Sequence, residues 1–273
     1  MITILSCGAS ATVQDLGRPG YAALGVPRSG AFDRGALALA NRLVGNPPDA
    51  ACLELTLGAR LRVDAAATVA LTGAPCPGLD WGTPVTLAAG STLALGVPAL
   101  GLRSYLAVRG GVNSDPVLSS RSTDTLSGLG PAPLAAGDVL AIGPQPAAPP
   151  SGTPAVPAAP FRGPLRILPG PREDWFTAGA RALLVESIWT VRPDSNRLGL
   201  RLDGPALARA ISRELPSEPT VPGALQVPPD GRPILFGPDA PVTGGYPVIA
   251  VIRDADLNRA AQLRPGEVVR FSR

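Results

Sequence analysis

The sequence contains no histidine, and all 24 of its basic residues are arginine, so lysine is missing as well. These two absences remove whole classes of chemistry. A Ser-His-Asp or Cys-His pair cannot be completed within the chain. A Schiff-base lysine, a phosphate-loop lysine and a kinase lysine are excluded. So is a lysine carrying covalent biotin. Any chemistry done here falls to Asp, Glu, Tyr, Cys and Arg. Aromatic residues are scarce at 4%, so the cores must be built mainly from Leu, Val and Ala. Only 16% of residues are charged, and the formal net charge is +3. The arginines are scattered among 21 acidic residues, which argues against a nucleic-acid partner. Three cysteines, Cys7, Cys52 and Cys76, form no CxxC pair, predicting reduced thiols and no metal site. The longest uncharged run to cause concern, Trp81–Leu102, contains Pro84, Pro98 and four glycines. It predicts strands broken by turns, not a membrane span. The start, MITILSCGAS, lacks the charged segment of a secretory leader, so a cytoplasmic protein is expected.

Glycine and proline are abundant, together 65 of 273 residues, which predicts many turns and few long helices. The run GPQPAAPPSGTPAVPAAPFRGP holds eight prolines and one charge. It reads as an extended linker or surface crossover. The expected organisation is a first half at 1–143, a linker at 144–164 and a second half at 165–273. Short apolar segments separated by Gly or Pro turns suggest antiparallel barrels or sandwiches. Leu53, Leu55 and Leu57 alternate with Cys52, Glu54 and Thr56. Pro228-Pro229-Asp230-Gly231 predicts a hairpin turn. Two helices are expected. Asp33 to Val44 has Asp33 as its cap and an apolar face of Ala36, Leu37, Ala40, Leu43 and Val44. The second spans Asp254 to Leu263. The two halves share an echo, L-x-x-G-[DE]-V-apolar-x-apolar, at Leu134–Ile142 and at Leu263–Phe271. Two related halves would explain it, as would the general likeness of turn-plus-strand segments.

Four segments concentrate Arg, carboxylate, amide and hydroxyl groups beside glycines. They are TVQDLGRPGY (12–21) with GVPRSGAFD (25–33), SSRSTDT (119–125), the stretch around SNRLGLRL (195–202), and Glu214 through Gln226 to Thr243-Gly244-Gly245-Tyr246. Each also has a purely structural interpretation. Asp33 fits a helix N-cap, and Asp15 with Arg18 and Arg28 fits a surface ion network. Ser119–Thr125 fits a hydroxyl-rich turn, and Gly244-Gly245 fits a tight turn.

These strings, with PGPREDWF (169–176), ELPSEPTVPGALQVPPDGRPI (214–234) and VTGGYPVIAVI (242–252), resemble one family in order and spacing. It is the family variously called biotin-dependent carboxyltransferase subunit, allophanate hydrolase subunit 2, sporulation-kinase-inhibitor antagonist and the C subunit of 5-oxoprolinase. The resemblance covers residues 3 to 271. It departs at Phe32, where Met is usual, at Ser119, where Gly is usual, and at the loop Gly73–Pro77. The resemblance implies a mainly β protein of cyclophilin-like β-barrels, two related barrel halves packed around a cleft, with few short helices. It also implies partner proteins, the B subunit of 5-oxoprolinase (a kinase-inhibitor-like protein) and its A subunit, joined through a large apolar interface.

Three functions follow from the resemblance. The first is the C subunit of an ATP-dependent 5-oxoprolinase, opening 5-oxo-L-proline to L-glutamate. Such a site needs a cation for the substrate carboxylate, donors for developing oxyanions and a carboxylate base. The implied catalytic set is Asp15 or Asp33 as acid/base or orienting group and Arg18 or Arg121 as anion clamp. The implied substrate-binding set is Gln14, Tyr21, Ser29, Asn196, Arg197, Gln226, Gly244, Gly245 and Tyr246. ATP is the expected cofactor, and no biotin sits on this chain. The second function is the carboxyltransferase half of a biotin-dependent, urea-type carboxylase, which needs a biotinylated carrier chain. The third is a non-catalytic antagonist that binds a histidine-kinase inhibitor.

Overall fold

The computed structural model describes residues 1–156 and 163–273. The chain divides into two compact units. The first holds Met1–Arg18 and the chain from Ser29 up to the Pro-rich segment; the second holds Pro19–Arg28 and the chain after that segment. The protein is mainly β, as the short apolar segments predict.

The first unit contains β1 (Ile2–Cys7), β2 (Ser10–Gln14), α1 (Arg34–Leu43), β3 (Cys52–Thr56), β4 (Ala59–Val63), β5 (Ala67–Gly73), β6 (Val85–Leu87), β7 (Thr92–Leu95), β8 (Arg103–Val108), β9 (Val112–Asn113) and β10 (Val139–Ile142). They form two five-stranded sheets, ordered β7-β4-β1-β10-β9 and β2-β3-β8-β5-β6. The chain passes from one sheet to the other six times, and β1 to β2, β3 to β4 and β8 to β9 are three short corners among these crossings. Each corner holds a glycine. At Gly8 and Gly58 an added Cβ would meet backbone oxygens within 2.6 Å. Leu57 lies in this corner at φ 60°, so β3 ends one residue before the last leucine of the alternating pattern.

Ile2, Ile4, Leu61 and Val63 face Val13, Leu53, Leu55, Val69, Leu71, Leu106 and Val108 in one core between the sheets. The second sheet is covered on its other face too. There α1 lays Leu37, Ala40 and Leu43 against Cys52, Ala70, Tyr105 and Ala107. All six residues of β8 are therefore buried. The helix forms as predicted: Asp33 caps it by accepting the Ala36 N–H at 2.9 Å, and Gly45 follows it at φ 78°. Burying a leucine such as Leu37 contributes about 1.5–3 kcal/mol.

Part of the Pro-rich segment runs along the first unit. Arg109 donates to the carbonyls of Val44, Pro146 and Ala148, while the Ser151 and Ala155 N–H groups reach the carbonyls of Leu43 and Gly82. Residues 157–162 of the expected linker lie outside the described residues. The uncharged Trp81–Leu102 run resolves into β6, β7 and turns, and no described helix is long and apolar enough to cross a membrane.

The second unit contains β11 (Leu165–Pro169), α2 (Ala178–Glu186), β12 (Trp189–Val191), β13 (Gly199–Asp203), β14 (Glu218–Pro219), β15 (Ala224–Gln226), β16 (Ile234–Phe236), β17 (Thr243–Gly244), β18 (Val248–Ile252), α3 (Asp254–Ala260), β19 (Val268–Val269) and β20 (Phe271–Ser272). Eight strands run β19-β12-β13-β16-β15-β18-β11-β20. Its two outer strands are separated by Arg270 alone, so one C-terminal segment pairs with β12 on one side and β11 on the other. The sheet is thereby a nearly closed barrel. β15 and β16 form the hairpin expected around Pro228–Gly231, with Gly231 at φ 76°.

Two sequence expectations need correction. A third helix, α2, exists beside the two expected; Thr177 caps it by accepting the Ala180 N–H at 3.1 Å. α3 ends at Ala260, short of Leu263. The echo between the halves corresponds to one shared turn. Gly137 and Gly266 both have positive φ, at 98° and 84°. In each turn the acidic side chain accepts from the backbone three residues earlier, Asp138 from Ala135 at 2.8 Å and Glu267 from Arg264 at 3.0 Å.

Candidate functional site

In the first unit the structure gathers Gln14, Asp15, Arg18, Ser29 and Arg121 around the 120–124 segment. Asp15 is the hub. Its Oδ1 accepts from Gly17 N at 2.7 Å, Ser120 Oγ at 2.7 Å and Ser122 Oγ at 2.5 Å, and its Oδ2 accepts from Arg121 N at 2.6 Å. Four donors saturate a carboxylate. Asp15 therefore organises the loop, and its oxygens are committed to that task. Gln14 and Ser29 both donate to the Thr123 carbonyl, at 3.0 Å and 3.1 Å.

The two candidate clamp arginines differ sharply. Arg18 is 1% exposed, donates to the Ser122 and Val117 carbonyls and lies 3.8 Å from Asp124 Oδ2. It is a buried strut. Arg121 is half-buried, and its Nε donates to the Ser114 carbonyl at 2.8 Å. Its two Nη groups have no hydrogen-bond partner among the described residues. The backbone N–H on Asp15 and the Nε on Ser114 fix the aim of a guanidinium whose forked end is left for an anion.

Asp33 stands apart from the Asp15 hub. The segment before α1 is held from beneath by β3 and β8. Glu54 Oε2 accepts from Phe32 N at 3.0 Å and from the Tyr105 hydroxyl at 2.7 Å, and that hydroxyl accepts from Asp33 N at 2.8 Å. Arg103 approaches Glu54 at 3.6 Å and stacks over Phe32 at 4.6 Å. Burial, and then the negative charge of Glu54, push the Tyr105 hydroxyl well above its ordinary pKa. The phenol stays protonated and serves as a hydrogen-bond relay.

In the second unit Gln226, Gly244 and Tyr246 come together. Gln226 Nε2 donates to the Tyr246 carbonyl at 3.1 Å, and a Cβ on Gly244 would stand 2.4 Å from that same nitrogen. A side chain at 244 would displace that amide. The Tyr246 side chain and Gly245 are exposed. Asn196 is exposed and accepts from Leu198 N at 2.9 Å, which leaves its amide N–H₂ outward. Arg197 forms a buried two-point ion pair with Asp239, at 2.8 Å and 2.9 Å, so its charge is neutralised inside the unit. Tyr21 heads a short 3-10 turn, its carbonyl accepting from Leu24 N at 2.9 Å. Arg172 pairs with Glu218 on β14, opposite Gly244.

Sequence reasoning missed several residues that matter here. Ser120 and Ser122 lie in a segment noted for its hydroxyls, but nothing local shows that both turn onto Asp15. Glu54 alternates with leucines, and that pattern does not reveal the helix covering the polar face of β3. Asp239 carries no local signal at all. Among the described residues no group of three or more Cys, Asp or Glu could hold a metal ion, and Cys7, Cys52 and Cys76 form no disulfide.

Comparison with known proteins adds to this geometry. A family model described as "Carboxyltransferase domain, subdomain A and B" matches residues 24–273. The chain is 40% identical to the C subunit of 5-oxoprolinase from Escherichia coli (strain K12), covering 99% of this chain and 90% of that protein. It is 33% identical to the C subunit of 5-oxoprolinase from Haemophilus influenzae, with the same coverage of 99% and 90%. Among crystal structures it is similar to the K. lactis urea amidolyase, with a TM-score of 0.92, 29% identity, 99% of this chain covered and 18% of that one.

Proposed function

The chain belongs to the carboxyltransferase-domain family, subdomains A and B, and on that premise we propose that it is the C subunit of an ATP-dependent 5-oxoprolinase, which opens 5-oxo-L-proline to L-glutamate. The observation that carries this reading is the likeness to the Escherichia coli protein of that name along nearly the whole chain. Arg121 supports it chemically. The substrate has one carboxylate and one lactam amide. A guanidinium fixed at Nε and open at both Nη atoms suits the carboxylate. Asp15, bound by four donors, holds the Arg121 backbone and transfers no proton. Acid/base work falls to Asp33. Within the second unit, Gln226 and Asn196 are the candidate amide donors.

Lactam opening needs coupling to ATP. The chain has no lysine and no glycine-rich nucleotide loop. ATP is assigned to the assembled complex with the B and A subunits, and no step here runs through it. The test is ATP hydrolysis and glutamate formation by this protein combined with both partners, with and without 5-oxoproline. Turnover that requires all three chains and 5-oxoproline is expected. A folded complex that produces no glutamate overturns the reading.

The structural likeness to urea amidolyase favours a second reading, the carboxyltransferase half of a biotin-dependent, urea-type carboxylase. It requires a biotinylated carrier among co-purifying proteins, and a blank streptavidin blot excludes it.

A further inference from the structure

The segment from Ser29 to Asp33 is gripped on two sides within the first unit. On one side is the Asp15 turn. Ala31 N donates to the Asp15 carbonyl at 2.9 Å. Gly30, at φ 89°, packs so tightly that an added Cβ would stand 2.7 Å from Gly17 N. On the other side the next two backbone N–H groups, Phe32 and Asp33, end on Glu54 and on the Tyr105 hydroxyl. Glu54 is 3% exposed and Tyr105 is fully buried. A carboxylate and a phenol are expensive to bury without partners, and a leucine or phenylalanine would fill the space under α1 equally well. What only these two groups supply is a pair of acceptors, 2.7 Å apart and hydrogen-bonded to each other, aimed at two successive N–H groups.

We propose that Glu54 and Tyr105 are a positioning pair: buried beneath the site, they fix the backbone of Phe32 and Asp33 and so set where the Asp33 carboxylate and the Asp15 turn stand. The part of this inference that concerns turnover rests on the 5-oxoprolinase reading; the part that concerns the backbone does not. Neither residue touches substrate. Their effect passes through Phe32 N and Asp33 N.

The test uses Tyr105→Phe and Glu54→Gln, with Thr72→Val as the control. Thr72 Oγ donates to the Ala36 carbonyl at 2.6 Å, so the control removes a buried hydrogen bond to the same helix without touching residues 29–33. Amide hydrogen exchange is read first on each full-length protein. Exchange at the Asp33 amide is expected to quicken at least about tenfold in Tyr105→Phe, the size of one lost hydrogen bond, and to stay unchanged in Thr72→Val. Unchanged Asp33 exchange in Tyr105→Phe overturns the proposal whatever the enzyme does. In the complex with the B and A subunits, kcat is expected to fall at least about tenfold in Tyr105→Phe, because small misplacements of a reacting group are costly. Glu54→Gln, which keeps an acceptor for Phe32 N, should lose less. Thr72→Val should keep its kcat while losing comparable stability. If all three variants lose activity in proportion to stability, the pair is merely structural and the proposal fails. If the parent complex makes no glutamate, the functional reading has failed, and the exchange result alone decides the positioning claim.

Discussion

Leu118 and Ser119 both adopt positive φ, at 52° and 63°, in the two-residue turn that joins Val117 to Ser120. The Val117 and Ser120 N–H groups each donate to the other's carbonyl, so this is a hairpin turn of the kind that Asn-Gly normally fills. A side chain at positive φ costs about 1–2 kcal/mol. The turn delivers Ser120, Arg121 and Ser122 to Asp15, and strain is tolerated where surrounding bonds over-determine the geometry. Ser119→Gly should therefore raise the unfolding free energy by about 1 kcal/mol, seen as a higher urea midpoint at unchanged slope. Activity should be retained, because the Ser119 side chain is exposed and bonds to nothing in the hub.

The two arginines beside Asp15 should separate cleanly on substitution. Arg18→Ala removes a fully buried guanidinium and leaves Asp124 buried beside the gap. Breaking a buried pair in this way costs about 3–5 kcal/mol, so this variant should fold poorly or melt far below the parent. Arg121→Ala removes a half-buried side chain whose only side-chain bond among the described residues is to the Ser114 carbonyl. It should melt within a few degrees of the parent and raise the KM for 5-oxoproline by at least about tenfold, one charge-assisted bond's worth. Calorimetry and steady-state kinetics on both variants check this.

Much of the fold was legible because its causes are local. Asp33, the 3.6-residue spacing from Ala36 to Leu43 and Gly45 define α1 without help from the rest of the chain. The Asp230-Gly231 turn and the Gly137 and Gly266 turns are likewise readable from a few residues each. α2 was missed because Thr177 is an unremarkable cap and ALLVES reads as readily as a strand. The site was only half legible. Asp15 and Arg121 are named by residue type, but the contact between Asp15 and Ser120 to Ser122 spans more than a hundred residues and exists only once β2 and the 117–124 segment have docked. The same holds for Glu54 and Tyr105. In sequence they are the polar members of alternating strands, and only the packing of α1 turns that face into a core.

Acid should unfold the second unit partly through Asp256. Arg166 binds it at two points and, ahead of all other influences, holds its carboxyl down from 3.8 to about 2. The folded pKa is lowered, so the pair's stabilisation is fully present above the unfolded value and is lost as pH falls through the folded one. The loss should run from about pH 4 down to about pH 2. Asp256→Asn should be less stable than the parent at pH 7, and the gap between the two should close across that window. Denaturant unfolding at a series of pH values measures it; a gap that persists below pH 2 would show that Asp256 does not act through its charge.

Gly244 tests whether the Gln226 amide has a role beyond packing. Alanine at 244 would put a methyl 2.4 Å from Gln226 Nε2, where no two atoms can rest. The obstacle is the far end of a flexible side chain, so the amide can swing away and the backbone need not move. The cost is one hydrogen bond, Gln226 to the Tyr246 carbonyl, worth about 1 kcal/mol. Gly244→Ala should thus fold nearly normally yet lose activity, because the displaced amide no longer points where Tyr246 had fixed it. Gln226→Ala should lose activity to a similar degree. In the double variant Gly244→Ala should add nothing, since the group it displaces is already gone. Additive losses would mean that Gly244 matters through its own backbone, and that Gln226 is not the donor.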